Sequence, residues 1–133
     1  MTRVIKFRIW AKGAKKMHYD NFNITPDGKV GQTWGIYEHN LEIMQFTGLK
    51  DKNGKEIYEG DIVQEQTIMV GHMGKVYQQS SGEWMVSYRR GSHPLYIPDG
   101  YEDSRETHSL QDWTSDSRIA VIGNVFENSN LLK

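Results

Sequence analysis

The chain has 133 residues, with 16 Lys+Arg against 17 Asp+Glu and a formal charge of -1. That length holds one compact domain or two very small ones and excludes a large multidomain enzyme. A balanced charge commits the chain neither to nucleic acid nor to a membrane. There is no cysteine, which removes disulfides, thiolate metal sites and cysteine nucleophiles together. No apolar run approaches the roughly 18 residues needed to cross a bilayer, and no secretory apolar stretch follows Met1. The expectation is a soluble cytoplasmic protein without membrane contact.

Composition leans toward strand. Ile (11) and Val (8) outnumber Leu (6) and Ala (3), and there are 7 Tyr, 4 Phe and 4 Trp. β-Branched and aromatic side chains suit a pleated, half-buried surface, while a helical chain carries more Ala and Leu. The 13 Gly suit many short elements joined by tight turns.

Along the chain, Val4 to Trp10 alternates and predicts a half-buried strand, with Ile5, Phe7 and Ile9 inward and Lys6 and Arg8 outward. A turn at 11–16 leads to a return strand, Met17 to Ile24, and then to the turn Thr25-Pro26-Asp27-Gly28. Further strands are predicted at Gln32 to Tyr37 and Leu41 to Phe46. Asp51-Lys52-Asn53-Gly54-Lys55 reads as a polar loop around an Asn-Gly pair, which tolerates positive φ. In the following stretch to Val63, Gly60 interrupts the core-like Ile57, Ile62 and Val63, where a bulge or sharp bend belongs. Lys75 to Gln79 and Glu83 to Arg89 read as a hairpin around Ser80-Ser81-Gly82, with Trp84, Val86 and Tyr88 on one face. Ile119 to Ile122 suits a buried strand, and the tail from Glu127 adds a helical turn presenting Leu131 and Leu132. Residues 93–117 read as a long polar excursion with a helical turn near Leu110 to Trp113.

Three segments together carry a resemblance. They are Ile5-Lys6-Phe7-Arg8-Ile9-Trp10, then Met44 through Gly48-Leu49-Lys50-Asp51 and Asn53-Gly54-Lys55-Glu56-Ile57-Tyr58-Glu59-Gly60-Asp61-Ile62-Val63, and finally Val121-Ile122-Gly123-Asn124-Val125-Phe126-Glu127-Asn128 with Leu131-Leu132. In order and spacing the chain resembles the YopX-like family of phage and prophage proteins. The resemblance implies a mainly β fold with an SH3-like roll, acting in the bacterial cytoplasm, and supplies no catalytic residues. This chain departs from the family at Ala11, where an acid tends to follow the opening Trp. The expected organisation is an N-terminal β region (1–40) and an SH3-like β roll or partly open barrel (41–133) with little helix, the two readable also as one continuous domain.

Candidate chemistry is sparse. Gly60-Asp61 invites a catalytic reading, but Gly supplies an unusual backbone angle and Asp61 can accept amide hydrogen bonds in the bend, so a structural turn is the plainer explanation. The five His (18, 39, 72, 93 and 108) form no His-x-x-x-His or His-x-His pair. A metal site would need distant His and carboxylates, His93 and His108 near Glu102 and Asp103 being the one concentration. Walker-type, Gly-x-Ser-x-Gly and Gly-x-Gly-x-x-Gly motifs are absent. No metal and no cofactor is therefore expected.

Charge is more informative. Residues 1–16 hold Arg3, Lys6, Arg8, Lys12, Lys15 and Lys16 and no acid, a local +6, while residues 97–116 carry a local -5. With Trp10 and Tyr19 nearby, the basic segment offers charge for phosphates and flat rings for bases, the needs of single-stranded nucleic acid. Two alternatives remain open: edge-strand protection by Lys and pairing with the acidic stretch, within the chain or between subunits. The functional reading is a non-catalytic binding module for protein or nucleic acid, its partner a host or phage protein, an oligonucleotide or a second copy. A structural, oligomeric phage accessory protein and a small metal-dependent hydrolase are the alternatives.

Overall fold

The computed structural model describes residues 4–65, 73–89, 105–111 and 119–132. The chain divides into two compact units, Met1–Phe46 and Thr47–Lys133. The fold is mainly β, with antiparallel sheets throughout and one sheet curled as a half-barrel.

In the first unit β1 (Phe7–Ala11) lies between β2 (Lys16–His18) and β5 (Leu41–Lys50). Ile9 stands opposite both His18 and Ile43. The expected alternation fails here. Arg8, Ile9, Trp10 and Ala11 are all buried, with Arg8 3% exposed, while Ile5 is 61% exposed. β1 is an interior strand, bonded on both sides and covered on both faces, so the period-2 pattern of a half-buried strand does not apply to it. The return strand also breaks in two. β2 ends at His18 and β3 (Phe22–Ile24) starts after a bend in which Asn21 takes a φ of 65°, a left-handed conformation that Asn tolerates and strands do not use. β3 pairs with β4 (Val30–Thr33), which stops before Trp34 because Gly35 turns the chain at a φ of 74°. Ile9, Trp10, Ala11, Ile36, Met44 and Phe46 are the buried apolar residues of this unit among those described.

The second unit begins inside β5 and adds β6 (Glu56–Tyr58) beside it. A five-stranded sheet follows in the order β10-β9-β8-β7-β11, built from β7 (Asp61–Glu65), β8 (Met73–Gln78), β9 (Trp84–Arg89), β10 (Arg105–Ser109) and β11 (Ile119–Asn124). Its core is Ile57, Val63, Val76, Trp84, Val86, Leu110 and Ile119. The β8–β9 hairpin closes as expected. Gln79 N donates to Glu83 O at 3.0 Å and Gly82 holds a φ of 93°, so the loop is Ser80-Ser81-Gly82 with glycine at its left-handed position. Trp84 and Val86 are buried in the core, and the Tyr88 side chain lies outside the described residues.

Within residues 93–117, which read as a polar excursion, residues 105–109 form the strand β10. Arg105-Glu106-Thr107-His108-Ser109 pairs with β9 despite its polarity. An edge strand needs only its backbone to join a ladder, and Leu110, fully buried, ties its end into the core. Residues 93–104 and 112–117 lie outside the described residues. The tail closes in a 3-10 turn, Ser129–Leu132.

Candidate functional site

Not all of the basic N-terminal residues lie at the surface. Arg3 lies outside the described residues. The Lys6 ammonium stands 4.9 Å over the Phe46 ring. Arg8 and Trp10 are buried within the first unit, so Trp10 offers no free ring for stacking and Arg8 no exposed guanidinium. Lys12 Nζ is 2.8 Å from Glu42 Oε1. Lys15 and Lys16 are exposed and form no ion pair among the described residues. Lys15 sits in the β1–β2 turn at a φ of 54°.

That turn is held from a distance. Gly13 N donates to Glu38 Oε1 at 2.7 Å and Ala14 N to Glu38 Oε2 at 2.9 Å. One carboxylate thus satisfies two amides that a tight turn would leave to water. A Cβ at position 13 would lie 3.0 Å from Glu38 Oε2, so a side chain there would push the carboxylate back by a few tenths of an ångström.

What this unit does expose is apolar and aromatic. Tyr19 is 58%, Trp34 50% and Tyr37 95% exposed, and the other exposed large hydrophobics among the described residues, Val4 and Ile5, belong to the same unit. Two grooves lie among them. A groove of about 360 Å³ is lined by Lys16, His18, Tyr19, Asn21 and Trp34. A second of about 590 Å³ is lined by Val30, Thr33, Tyr37, His39 and Leu41. Ile36 lines both. Sequence reasoning missed Trp34 and Tyr37 because it placed both inside a strand. The signal was Gly35, between them.

The second unit reads differently. Gly60 has a φ of 85°, donates to Val76 O and accepts from Val125 N, both at 2.9 Å. Asp61 is buried, and its Oδ2 accepts from Tyr58 N at 2.8 Å. Asp51 Oδ1 accepts from Asn53 N and Lys55 N, and its Oδ2 from Val121 N. Asn124 Oδ1 accepts from Phe126 N and Glu127 N, while Asn128 Oδ1 accepts from Asn124 N at 3.2 Å. These polar side chains are spent on backbone groups of bends and turns. Of the histidines, His18 and His39 lie in the first unit, His72 and His93 lie outside the described residues, and the His108 side chain does too. No group of three metal-capable side chains occurs among the described residues, and no helix among them is long and apolar enough to cross a membrane.

The family described as YopX protein matches residues 6–133. Among solved structures, the chain is similar to protein EF1440 from Enterococcus faecalis, with 25% identity and a TM-score of 0.62 over 99% of this chain and 100% of that one. It is also similar to protein yopX from Bacillus subtilis, with 21% identity and a TM-score of 0.59 over the same shares. No curated protein matches the chain.

Proposed function

The chain belongs to the YopX family, and on that premise we propose that it is a binding module for another protein, acting as a phage or prophage accessory in the bacterial cytoplasm. The observation that carries this reading is the concentration of exposed aromatics on the first unit. Tyr19 and Trp34 line one groove, and Tyr37 lines the adjoining one. Tyr and Trp are the residues that dominate protein interfaces energetically, because each buries a large rigid area at low entropic cost. The polar residues of the resemblance, Asp51, Gly60-Asp61 and Asn124, by contrast hold backbone turns in the second unit.

The test compares the wild-type chain with the triple variant Tyr19→Ala/Trp34→Ala/Tyr37→Ala, both immobilised and exposed to lysate of a bacterium carrying the prophage. A protein held by the wild type and lost by an equally folded triple variant is the expected result. Retention equal on both would overturn the reading.

A second reading, single-stranded nucleic acid, is favoured by Lys15 and Lys16, exposed near Tyr19. Two phosphate contacts on a single strand give a log–log salt slope of about -1.4. Polarisation of a labelled oligonucleotide at two salt concentrations, with Lys15→Gln/Lys16→Gln as the control, measures it. A slope that the double variant leaves unchanged would remove this reading.

A further inference from the structure

We propose that β4 is an acceptor strand: an extended segment of a partner protein adds to its outer edge as a third strand of the β3–β4 sheet. The proposal rests on the reading of the first unit as a protein-binding surface and gives that surface a mode of recognition.

The ladder itself shows which backbone groups are open. Trp34 N donates to Asn21 O and Thr25 N to Lys29 O, both at 2.8 Å. Phe22 stands opposite Thr33 and Ile24 opposite Val30. Bonds that flank a pair in this way mark it as the narrow, non-hydrogen-bonded kind, whose peptide groups point away from the partner strand. The amides and carbonyls of Val30 and Thr33 therefore face outward from β3. Among the described residues β4 has no neighbour on that side, its sheet having two strands. Its sequence, Val30-Gly31-Gln32-Thr33, carries neither Lys nor Pro, and the register shift opposite Phe22–Ile24 sets Val30 and Thr33 three residues apart, so an added strand carries a matching bulge.

Val30 and Thr33 also line the 590 Å³ groove, together with Ile36, Leu41 and Ile43. Leu41 and Ile43 alternate along β5 and share one face of it. A strand laid against β4 would give its backbone to Val30 and Thr33 and every second side chain to this apolar wall. Charge adds a preference. The Glu38 carboxylate is engaged by two backbone amides. The Lys29 ammonium, by contrast, is 81% exposed and 3.9 Å from its nearest acid, Asp27. An acidic residue next to the apolar alternation completes the match.

The probe is a displayed library of random twelve-residue peptides selected on the whole 133-residue chain. Enriched peptides should alternate apolar residues and carry an acid. Their synthetic forms should slow amide exchange at Val30 and Thr33. Val30→Pro removes an outward amide that the β3–β4 ladder does not use, and should weaken binding by about tenfold. If that variant fails to fold, Val30→Lys places a charge on the edge without touching the ladder and should weaken binding similarly. Peptides that lose binding on Trp34→Ala but not on Val30→Pro or Val30→Lys would overturn strand addition and leave the surface reading intact. No enrichment would overturn both. A dimer of the chain itself that Val30→Lys dissociates would assign the edge to a second copy and overturn the proposal.

Discussion

The Asp51 carboxylate accepts a hydrogen bond from the backbone amide of Val121, 2.9 Å away and 70 residues further along the chain. Its other oxygen takes the amides of Asn53 and Lys55 at 2.8 and 2.9 Å, and Lys52 N donates to Ile119 O at 3.0 Å. The Asp51–Lys55 turn thereby covers the outer edge of β11, which would otherwise present unpaired groups. Asp51→Ala strands three amides, one of them on a core strand. It should cost about 3 kcal/mol, since each buried unsatisfied donor costs roughly 1–3 kcal/mol and the turn amides can partly recover water. Urea unfolding of the two proteins measures the difference, and a loss below about 1 kcal/mol would mean that the edge is held by something else.

Gly60 is the bend where two long-range backbone bonds meet. With φ at 85° and both its amide and its carbonyl engaged, a Cβ cannot be relieved by rotating the residue. Gly60→Ala should cost about 1–2 kcal/mol, the left-handed penalty. Gly28, at a φ of 84° but with nothing within 4 Å of its Cβ position, provides the comparison, since only strain applies there. A melting temperature that Gly60→Ala does not change would show that the bend relaxes.

Gly123 is required for room and not for φ. A Cβ there would fall 2.5 Å from Asn128 Oδ1 and 2.9 Å from Asn128 Cβ. Gly123→Ala should therefore destabilise the second unit, and Asn128→Gly should recover part of the loss in the double variant. A double-mutant cycle with a coupling on the order of 1 kcal/mol is expected for residues in contact. Strict additivity would contradict the contact.

Trp84 Nε1 is buried and has no hydrogen-bond partner among the described residues. Trp84→Phe loses apolar area but also removes an orphan donor, and the two effects oppose each other. The expected cost is about 1 kcal/mol, against roughly 3–5 for Trp84→Ala. Equal costs for the two variants would show that the indole N–H is satisfied in solution.

Much of the second unit was legible in the sequence because its turns use residues with a single mechanical meaning. Asn53-Gly54, Gly60-Asp61 and Gly82 each sit where positive φ or an amide-accepting carboxylate is needed. β10 was not legible. Its polar residues satisfy a ladder through backbone alone, and only Leu110 betrays the anchorage. In the first unit, alternation at 4–10 assumes one wet face, whereas β1 is sandwiched, so Arg8 is buried, while Lys6 stands over Phe46 and Lys12 pairs with Glu42. Trp34 and Tyr37, unlike Tyr19, escaped notice, because a solvent-facing Trp34 and a core Trp10 carry the same letter. What separates them is Gly35 ending the strand, a local signal that a run of apolar residues easily masks.

The central claim is that the first unit is the binding face. Hydrogen exchange of the 133-residue chain, with and without the protein that the wild type retains, tests it most directly. Slowed exchange across residues 16–43, with the β7–β11 sheet unchanged, is the predicted footprint. Protection confined to residues 47–132, with 16–43 exchanging as in the free chain, would contradict the account.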